Sequence, residues 1–131
     1  MASTQVKKIF IVDDDEMLIE ALSDYITRKI PHVVSTFSTG EACLKELDQN
    51  PDIIILDYYL NTVNKNAANG VEILNMIKKE SPYAHVIMLS SQEKYGVALQ
   101  TIQKGAEQYV IKDEDAFEKI AKMIEEIGGN D

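Results

Sequence analysis

The chain has 131 residues, 45% of them hydrophobic, and a formal net charge of −9 at pH 7. This length fits one globular domain with a single sizeable core, and the negative charge disfavours direct binding to nucleic acid. No apolar run approaches the length of a membrane span or the core of a secretory signal, and the one cysteine, Cys43, excludes an internal disulfide. We therefore expect a cytoplasmic protein without membrane contacts.

The predicted domain has no internal boundary, because no low-complexity segment or Pro/Gly-rich linker divides the sequence. We expect one domain over residues 1–131, with loose ends at 1–6 and 128–131. Short apolar runs typical of strands recur along the chain, and helical patterns separate them. The predicted strands are Lys8–Val12, Val33–Phe37, Ile53–Leu56, Val86–Leu89 and Gln108–Ile111.

Local signals mark the first three predicted helices. The first precedes Pro31, which helps to end it. The segment Ser38-Thr39-Gly40-Glu41 fits a capping box at the start of the second, and Cys43 in that helix is expected to be a small buried hydrophobe. The segment Asn69-Gly70-Val71-Glu72 begins the third helix by the same logic.

Two further helices are predicted near the carboxyl end. The fourth runs from about Glu93 to Lys104, and Gly105 follows as a C-cap. The fifth carries Asp113, Glu114 and Asp115 near its start, where they interact favourably with the helix dipole, and Gly128 ends it.

The predicted architecture is an α/β fold. The central strands are continuously apolar, which is typical of parallel strands covered on both faces. Strict alternation of strands and helices then indicates a doubly wound five-stranded parallel sheet with helices on both faces, and the flavodoxin-like order 2-1-3-4-5 is the natural one. In that order strands 1 and 3 are neighbours, and ligands bind at their carboxyl ends.

Acidic residues follow both of these neighbouring strands. Asp13 and Asp14 come directly after the first strand, and Asp57 comes directly after the third. Like charges at such range require a cation or a proton. Oxygen ligands favour Mg²⁺, with Mn²⁺ as the alternative, and no Cys–His cluster is present for zinc. His32 and His85 stand near strand starts, at the opposite edge, and are expected to be surface or boundary residues.

A hydroxyl and an ammonium are predicted to reach the same edge. Ser90 ends the fourth strand and Lys112 ends the fifth. Three carboxylates, a hydroxyl and an ammonium around one metal suit phosphoryl transfer, in which positioning and charge neutralisation do most of the work. A carboxylate can itself attack phosphorus to form an acyl phosphate.

Over nearly its whole length the chain resembles a receiver domain of a two-component response regulator. The resemblance rests on Asp13-Asp14, Asp57, Ser90, Tyr109 and Lys112 at the corresponding strand ends. It implies that Asp57 is a phosphoacceptor, loaded from a phosphohistidine of a sensor histidine kinase or a histidine phosphotransfer protein. The domain would not be an enzyme in the ordinary sense, but would assist its own phosphorylation and slow dephosphorylation.

The resemblance also implies roles for the neighbouring groups. Asp14 would bind Mg²⁺ directly, Asp13 mainly through water, and the backbone carbonyl of Tyr59 would complete the protein ligands. Ser90 would move to the phosphoryl group and Tyr109 would turn into the space released. The switched surface would comprise the fourth helix, fifth strand and fifth helix, which would contact an output protein that the sequence does not name or a second copy of the chain.

Two departures from the family pattern affect these expectations. The family usually has proline four residues after the phosphoacceptor, where this chain has Asn61, and the helix-starting glycine is best read as Gly70, about five residues late. The asparagine-rich loop at 61–69 is therefore long, and it is expected to be mobile. It is either adapted to a particular kinase or a neutral insertion. Asp113 stands where many receivers have proline, so a trans peptide bond is expected after Lys112.

Three alternative functions are weighed against this reading. A Mg²⁺-dependent small-molecule phosphatase similar to haloacid dehalogenases would use the spacing Asp13-x-Asp15, but Met17 stands where a hydroxyl is usual. A flavodoxin would cradle a phosphate after the first strand, where the acidic run at 13–16 repels one. A receiver that has lost phosphorylation and acts only by docking is disfavoured by the intact acid, hydroxyl and lysine set.

Overall fold

The computed structural model describes residues 6–28, 30–60, 66–91 and 95–127, with only the backbone of Tyr95. The predicted loose ends other than Val6, the loop residues 61–65 and the expected start of the fourth helix at Glu93 lie outside this part. The elements are β1 (Lys8–Val12), α1 (Glu16–Thr27), β2 (Val33–Phe37), α2 (Gly40–Leu44), a 3₁₀ turn (Leu47–Gln49), β3 (Ile53–Asp57), α3 (Gly70–Glu80), β4 (His85–Ser90), α4 (Tyr95–Gln103), β5 (Gln108–Ile111) and α5 (Ala116–Glu126).

The five strands form one parallel sheet in the order β2-β1-β3-β4-β5, which confirms the predicted topology. The three central strands are buried almost throughout, as their continuous apolar character predicts. Alternate residues face opposite sides. Ile9 and Ile11 pack with α1 and α5, while Phe10 and Val12 pack with α2 and α3. The carboxyl ends of the central strands are therefore supported by a hydrophobic core on each face of the sheet.

Side-chain caps fix the starts of three helices. Asp15 accepts a hydrogen bond from the backbone N–H of Leu18 at 3.2 Å and caps α1. Asn69 accepts one from Glu72 N–H at 3.0 Å and caps α3, as predicted. The predicted capping box at α2 is wrong: Thr39, not Ser38, caps that helix by accepting from Ala42 N–H at 3.2 Å.

Two other local predictions are confirmed. Gly105 follows α4 with a φ of +113°, the left-handed region that favours glycine after a helix. Cys43 is fully buried, and burial raises the pKa of its thiol to about 12, so it behaves as a small apolar side chain. Among the described helices none combines the length and apolar character needed to cross a bilayer.

The register of the sheet brings four strand ends to one edge. Val12 lies beside Leu56, so Asp13 lies beside Asp57. Asp57 pairs with Leu89, and Ser90 pairs with Ile111, the residue before Lys112. Both Asp57 and Ser90 are the last residues of their strands rather than the first residues after them, because each still pairs with its neighbour.

Candidate metal centre

Three carboxylates meet at the carboxyl end of the sheet. Asp13, Asp14 and Asp57 each present one oxygen, and these oxygens all lie within 4.8 Å of one another. Asp13 and Asp57 are almost fully buried, with 1% and 2% of their surface exposed, while Asp14 is half-buried. The predicted convergence of the two strand ends is thus observed. It is the one such cluster found among the described residues.

Lys112 bridges the two buried carboxylates. Its Nζ lies 3.1 Å from Asp57 Oδ1 and 3.2 Å from Asp13 Oδ2. The Lys112–Asp113 peptide bond is trans, as expected. Asp113 shapes the following turn instead of a proline: its Oδ1 accepts a hydrogen bond from Asp115 N–H at 2.9 Å. The lysine therefore reaches the site without a cis bond behind it.

Burial dominates the electrostatics of the carboxylates. Desolvation, and then the charge of Asp13, raise the pKa of Asp57 to about 7, although Lys112 acts in the opposite direction. Desolvation likewise raises the pKa of Asp13. Burial alone would lower the pKa of Lys112, but the charges of Asp57 and Asp13 raise it. Without a further cation, two buried carboxylates thus share a single ammonium.

The donor set fits a hard divalent cation. Asp13 Oδ2 is sealed from solvent and makes no hydrogen bond to the described residues; its contact is the ion pair with Lys112. Backbone N–H groups orient the other oxygens: Asp15 N–H donates to Asp13 Oδ1 at 2.9 Å, and Tyr59 N–H donates to Asp57 Oδ1 at 3.3 Å. Such fixed carboxylate oxygens, with acceptor capacity left over, are what Mg²⁺ and Mn²⁺ prefer.

Ser90 and Tyr109 are linked to each other at the same end of the sheet. Ser90 is fully buried, and its side chain is hydrogen-bonded to that of Tyr109. Burial raises the pKa of the Tyr109 phenol, and the ring packs against the core on the α2–α3 face, as Tyr58 does. Tyr59 lies edge-on to Tyr58, with ring centroids 4.8 Å apart. The predicted hydroxyl and aromatic residues are therefore brought together.

The two histidines lie away from this cluster. His32 and His85 stand at the starts of β2 and β4, the opposite edge of the sheet. His85 Nδ1 lies 3.1 Å from a carboxylate oxygen of Glu107, at the surface. His32 is more buried than expected, at 8% exposed, and its Nδ1 accepts a hydrogen bond from Lys7 N–H at 3.0 Å. Neither is a metal ligand of the acidic cluster.

Two residues near the site have roles that the sequence did not reveal. Gly70 lies so close to β3 that an added Cβ would overlap the carbonyl oxygen of Asp57 and stand 2.8 Å from Tyr58 Cα. Glu41 accepts a hydrogen bond from Ala68 N–H at 2.9 Å instead of closing a capping box. The spacing from Asp57 marked Gly70 as the start of a helix but gave no sign of this contact, and the capping-box pattern marked Glu41 for a different partner.

Comparisons with known protein families, sequences and structures all point to the same family. The model of the response regulator receiver domain matches residues 9–125. The chemotaxis protein CheY of Listeria monocytogenes is 30% identical over 122 residues, which cover 88% of this chain and 98% of CheY. The BeF3-activated receiver domain of DrrB superposes with a TM-score of 0.80 at 27% identity, covering 94% of this chain and 97% of that one.

Some relatives are considerably longer than this chain. A protein-glutamate methylesterase/protein-glutamine glutaminase of Archaeoglobus fulgidus is 31% identical over 123 residues, covering 92% of this chain but 34% of its own length. The probable C4-dicarboxylate response regulator DctR of Bacillus subtilis is 29% identical, and the match covers 95% of this chain and 56% of DctR. The chain thus spans about a third to a little over half of these two relatives.

Proposed function

Because the chain belongs to the family of response regulator receiver domains, we propose that Asp57 accepts a phosphoryl group from a phosphohistidine and thereby switches a protein-docking surface. The observation that carries the proposal is the pairing of Lys112 with both Asp57 and Asp13, 3.1 and 3.2 Å away, beside a third carboxylate. A nucleophilic carboxylate, a cation site and a positioned ammonium are the three parts that acyl phosphate formation needs.

In the proposed reaction a carboxylate oxygen of Asp57 forms a bond to phosphorus while the phosphorus–nitrogen bond of the phosphohistidine breaks. The electron pair of that bond leaves with the imidazole. Lys112 would then turn from the carboxylates to a phosphoryl oxygen, and the Ser90 hydroxyl would donate to another. Mg²⁺, held by Asp13, Asp14, Asp57 and the backbone carbonyl of Tyr59, would neutralise charge on the phosphoryl oxygens.

The state of Asp57 supports a requirement for the metal. Burial and the charge of Asp13 raise the pKa of Asp57, which favours the protonated form of its carboxyl, and a protonated carboxyl is a poor nucleophile. A cation among the three carboxylates would favour the ionised form. The same charge would assist water in the slow hydrolysis of the acyl phosphate, so the domain would limit its own signal.

The hydrogen bond between Ser90 and Tyr109 supports a switch at this position. When the Ser90 hydroxyl turns to the phosphoryl group, Tyr109 would lose this partner and repack. Tyr109 stands in β5, which contacts both α4 and α5, so we propose the α4–β5–α5 face as the docking surface. Leu99 and Ile102 on α4 are 46% and 40% exposed, and offer apolar contact area to an output protein or a second copy.

We further propose that residues 1–131 form a single receiver domain located in the cytoplasm. Its phosphodonor would be a sensor histidine kinase or a histidine phosphotransfer protein. The phosphatase alternative lacks support, because Asp15 caps α1 and Met17 is 83% exposed. No observation favours a docking module that has lost phosphorylation, since the acidic, hydroxyl and lysine groups converge.

The test is phosphorylation with acetyl phosphate and Mg²⁺, followed by intact-mass measurement. The parent protein should gain one phosphoryl group, and Asp57→Asn should gain none. Asp48→Asn, which changes an exposed aspartate in the 3₁₀ turn, is the matched control and should behave as the parent. A parent that gains no phosphoryl group would refute the proposal, and steady turnover of diverse phosphate esters would indicate the phosphatase instead.

A further inference from the structure

We propose that Glu41 is a positioning residue for the phosphoryl-transfer site, an inference that rests on the proposed function. Glu41 is exposed in the first turn of α2, outside the acidic cluster. Its carboxylate accepts the N–H of Ala68 at 2.9 Å, across 27 residues of sequence. Ala68 belongs to the segment 66–69, through which the long connection after β3 returns to α3. Glu41 therefore ties the end of this connection to α2.

The segment held by Glu41 leads directly to the backbone that follows Asp57. Asn69 caps α3, and Gly70 N–H donates to the carbonyl oxygen of Tyr58 at 3.0 Å. Gly70 also packs so closely on β3 that it leaves no room for a Cβ beside the Asp57 carbonyl. Tyr58 N–H in turn donates to Leu89 O in β4 at 3.0 Å. A shift of the backbone at Ala68 would thus be transmitted through Asn69 and Gly70 to the turn at Asp57–Tyr59.

The structure supports α2 as a firm anchor for this contact. Gly40, next to Glu41, lies against Ile73 of α3 so closely that a Cβ would overlap that side chain. Thr39 caps the helix, and Cys43 packs in the core. A carboxylate that accepts a backbone N–H makes a stronger hydrogen bond than a neutral acceptor does. The charge and the short distance make Glu41 suited to holding the backbone at Ala68.

This contact matters because the connection is long for the family pattern. Gly70 comes thirteen positions after Asp57, and the residues at 67 and 68 are alanines, the first buried and the second packed against the core, which bury little apolar area each. The closure entropy of a longer loop grows only slowly, so the loop is tolerated, but its return path needs a specific tether. The proposed metal ligand at the Tyr59 carbonyl lies on the turn that this tether steadies.

The proposal predicts a selective effect on Mg²⁺ affinity. Glu41→Ala should raise the dissociation constant for Mg²⁺ about three- to tenfold, because the ligand backbone loses preorganisation. Glu41→Gln keeps an acceptor, although a neutral one, and should lose less Mg²⁺ affinity than Glu41→Ala. Glu72→Ala is the matched control, since it removes an exposed first-turn glutamate of α3. Binding can be followed by tyrosine fluorescence, because the chain has six tyrosines and no tryptophan.

Two further readouts separate positioning from a general loss of stability. In Glu41→Ala the amide hydrogen of Ala68 should exchange faster, while amides in β1 and β3 keep the protection seen in the parent. Adduct formation from acetyl phosphate should slow by the same factor as the affinity at limiting Mg²⁺, and recover at saturating Mg²⁺. A purely structural role would lower the unfolding temperature without changing the dissociation constant.

Several outcomes would overturn the proposal. One is a Glu41→Ala protein that binds Mg²⁺ as tightly as the parent, and another is Glu72→Ala with the same loss. If Glu41→Ala fails to fold, Ala68→Pro removes the donor of the same hydrogen bond, and unchanged Mg²⁺ affinity in that variant would also refute the role of Glu41. A parent that binds Mg²⁺ but forms no adduct would refute the proposed function alone, since affinity and amide exchange still test Glu41.

Discussion

The ammonium of Lys112 lies 3.1 Å from Oδ1 of Asp57. The same nitrogen lies 3.2 Å from Oδ2 of Asp13, and both carboxylate side chains are 2% exposed. Lys112 and a divalent cation bound at this site would therefore compete for the same buried carboxylate oxygens. Since each cation lowers the negative potential that attracts the other, Lys112 would weaken metal binding even though, in the proposed function, it also binds a phosphoryl oxygen.

Replacement of Lys112 by methionine should accordingly have two opposite effects. Mg²⁺ should bind more tightly, by about three- to tenfold, because a competing positive charge is removed. Adduct formation from acetyl phosphate should slow by about tenfold or more, because a positioned cation for the phosphoryl oxygens is lost. Lys119→Met changes a half-exposed lysine that pairs with Asp113 at 3.6 Å, and serves as control. Weaker Mg²⁺ binding in Lys112→Met would contradict the competition.

The raised pKa of Asp57 predicts a pH-dependent gain of stability in Asp57→Asn. The folded protein holds this carboxyl at a pKa of about 7, against 3.8 for the ordinary group, so between these values the folded state binds more protons than the unfolded state. The stability that this group contributes is therefore present below pH 4 and is lost as the pH rises through 7. Without divalent metal, Asp57→Asn should be more stable than the parent by roughly 2–4 kcal/mol at pH 8, by about half as much or less at pH 5, and nearly equal to it below pH 4.

Urea unfolding at the two pH values, in the presence of a chelator, measures this difference. Asp48→Asn, an exposed aspartate of the 3₁₀ turn, should show no such dependence. An equal stability of parent and Asp57→Asn at pH 8 would mean that the buried carboxylate carries no penalty.

Much of the fold and the convergence of the site followed from the sequence, for a simple physical reason. Buried parallel strands must be apolar on both faces, so β1, β3 and β4 are recognisable in the sequence as continuous runs of apolar residues. Parallel strands also end at the same edge, so polar residues at those ends must meet. Asp57 and Ser90 were expected just at this edge, and the sheet holds both as terminal strand residues.

Contacts that depend on exact backbone conformation and packing were not predictable. Ser38 and Thr39 are adjacent hydroxyls, and the capping-box pattern cannot tell which one has the geometry of a cap. The bond from Ala68 to Glu41 joins residues that only the packing of α2 on α3 brings together. His32 was expected to be a surface or boundary residue because it stands near the start of a strand, yet it is buried and its Nδ1 accepts the N–H of Lys7.

Tyr59 is expected to protect the acyl phosphate. Its backbone N–H bonds Asp57 Oδ1 at 3.3 Å, and its half-buried ring stands edge-on to Tyr58 over the same end of the sheet. Removing the ring should admit water, and Tyr59→Ala should shorten the half-life of the phosphoryl group about three- to tenfold. The decay of the adduct by intact mass, after removal of acetyl phosphate, measures this. Tyr83→Ala, at a 92% exposed tyrosine, should leave the half-life unchanged.

Gly70 should tolerate no side chain. A Cβ there would overlap the carbonyl oxygen of Asp57 and stand 2.8 Å from Tyr58 Cα, both of them backbone atoms that cannot rotate away. Gly70→Ala must therefore displace either α3 or the end of β3, and should lower the free energy of unfolding by about 2 kcal/mol or more and weaken Mg²⁺ binding. Chemical unfolding and metal titration measure the two effects.

Gly96 provides the matched control for Gly70. It lies in α4, where an added Cβ meets no atom of the described residues within 4 Å. Gly96→Ala should stabilise the protein by about 0.5–1 kcal/mol, because alanine favours a helix over glycine by that amount. If Gly70→Ala were instead as stable as the parent and bound Mg²⁺ equally well, the close packing of α3 on the end of β3 could not be what positions the carboxylates.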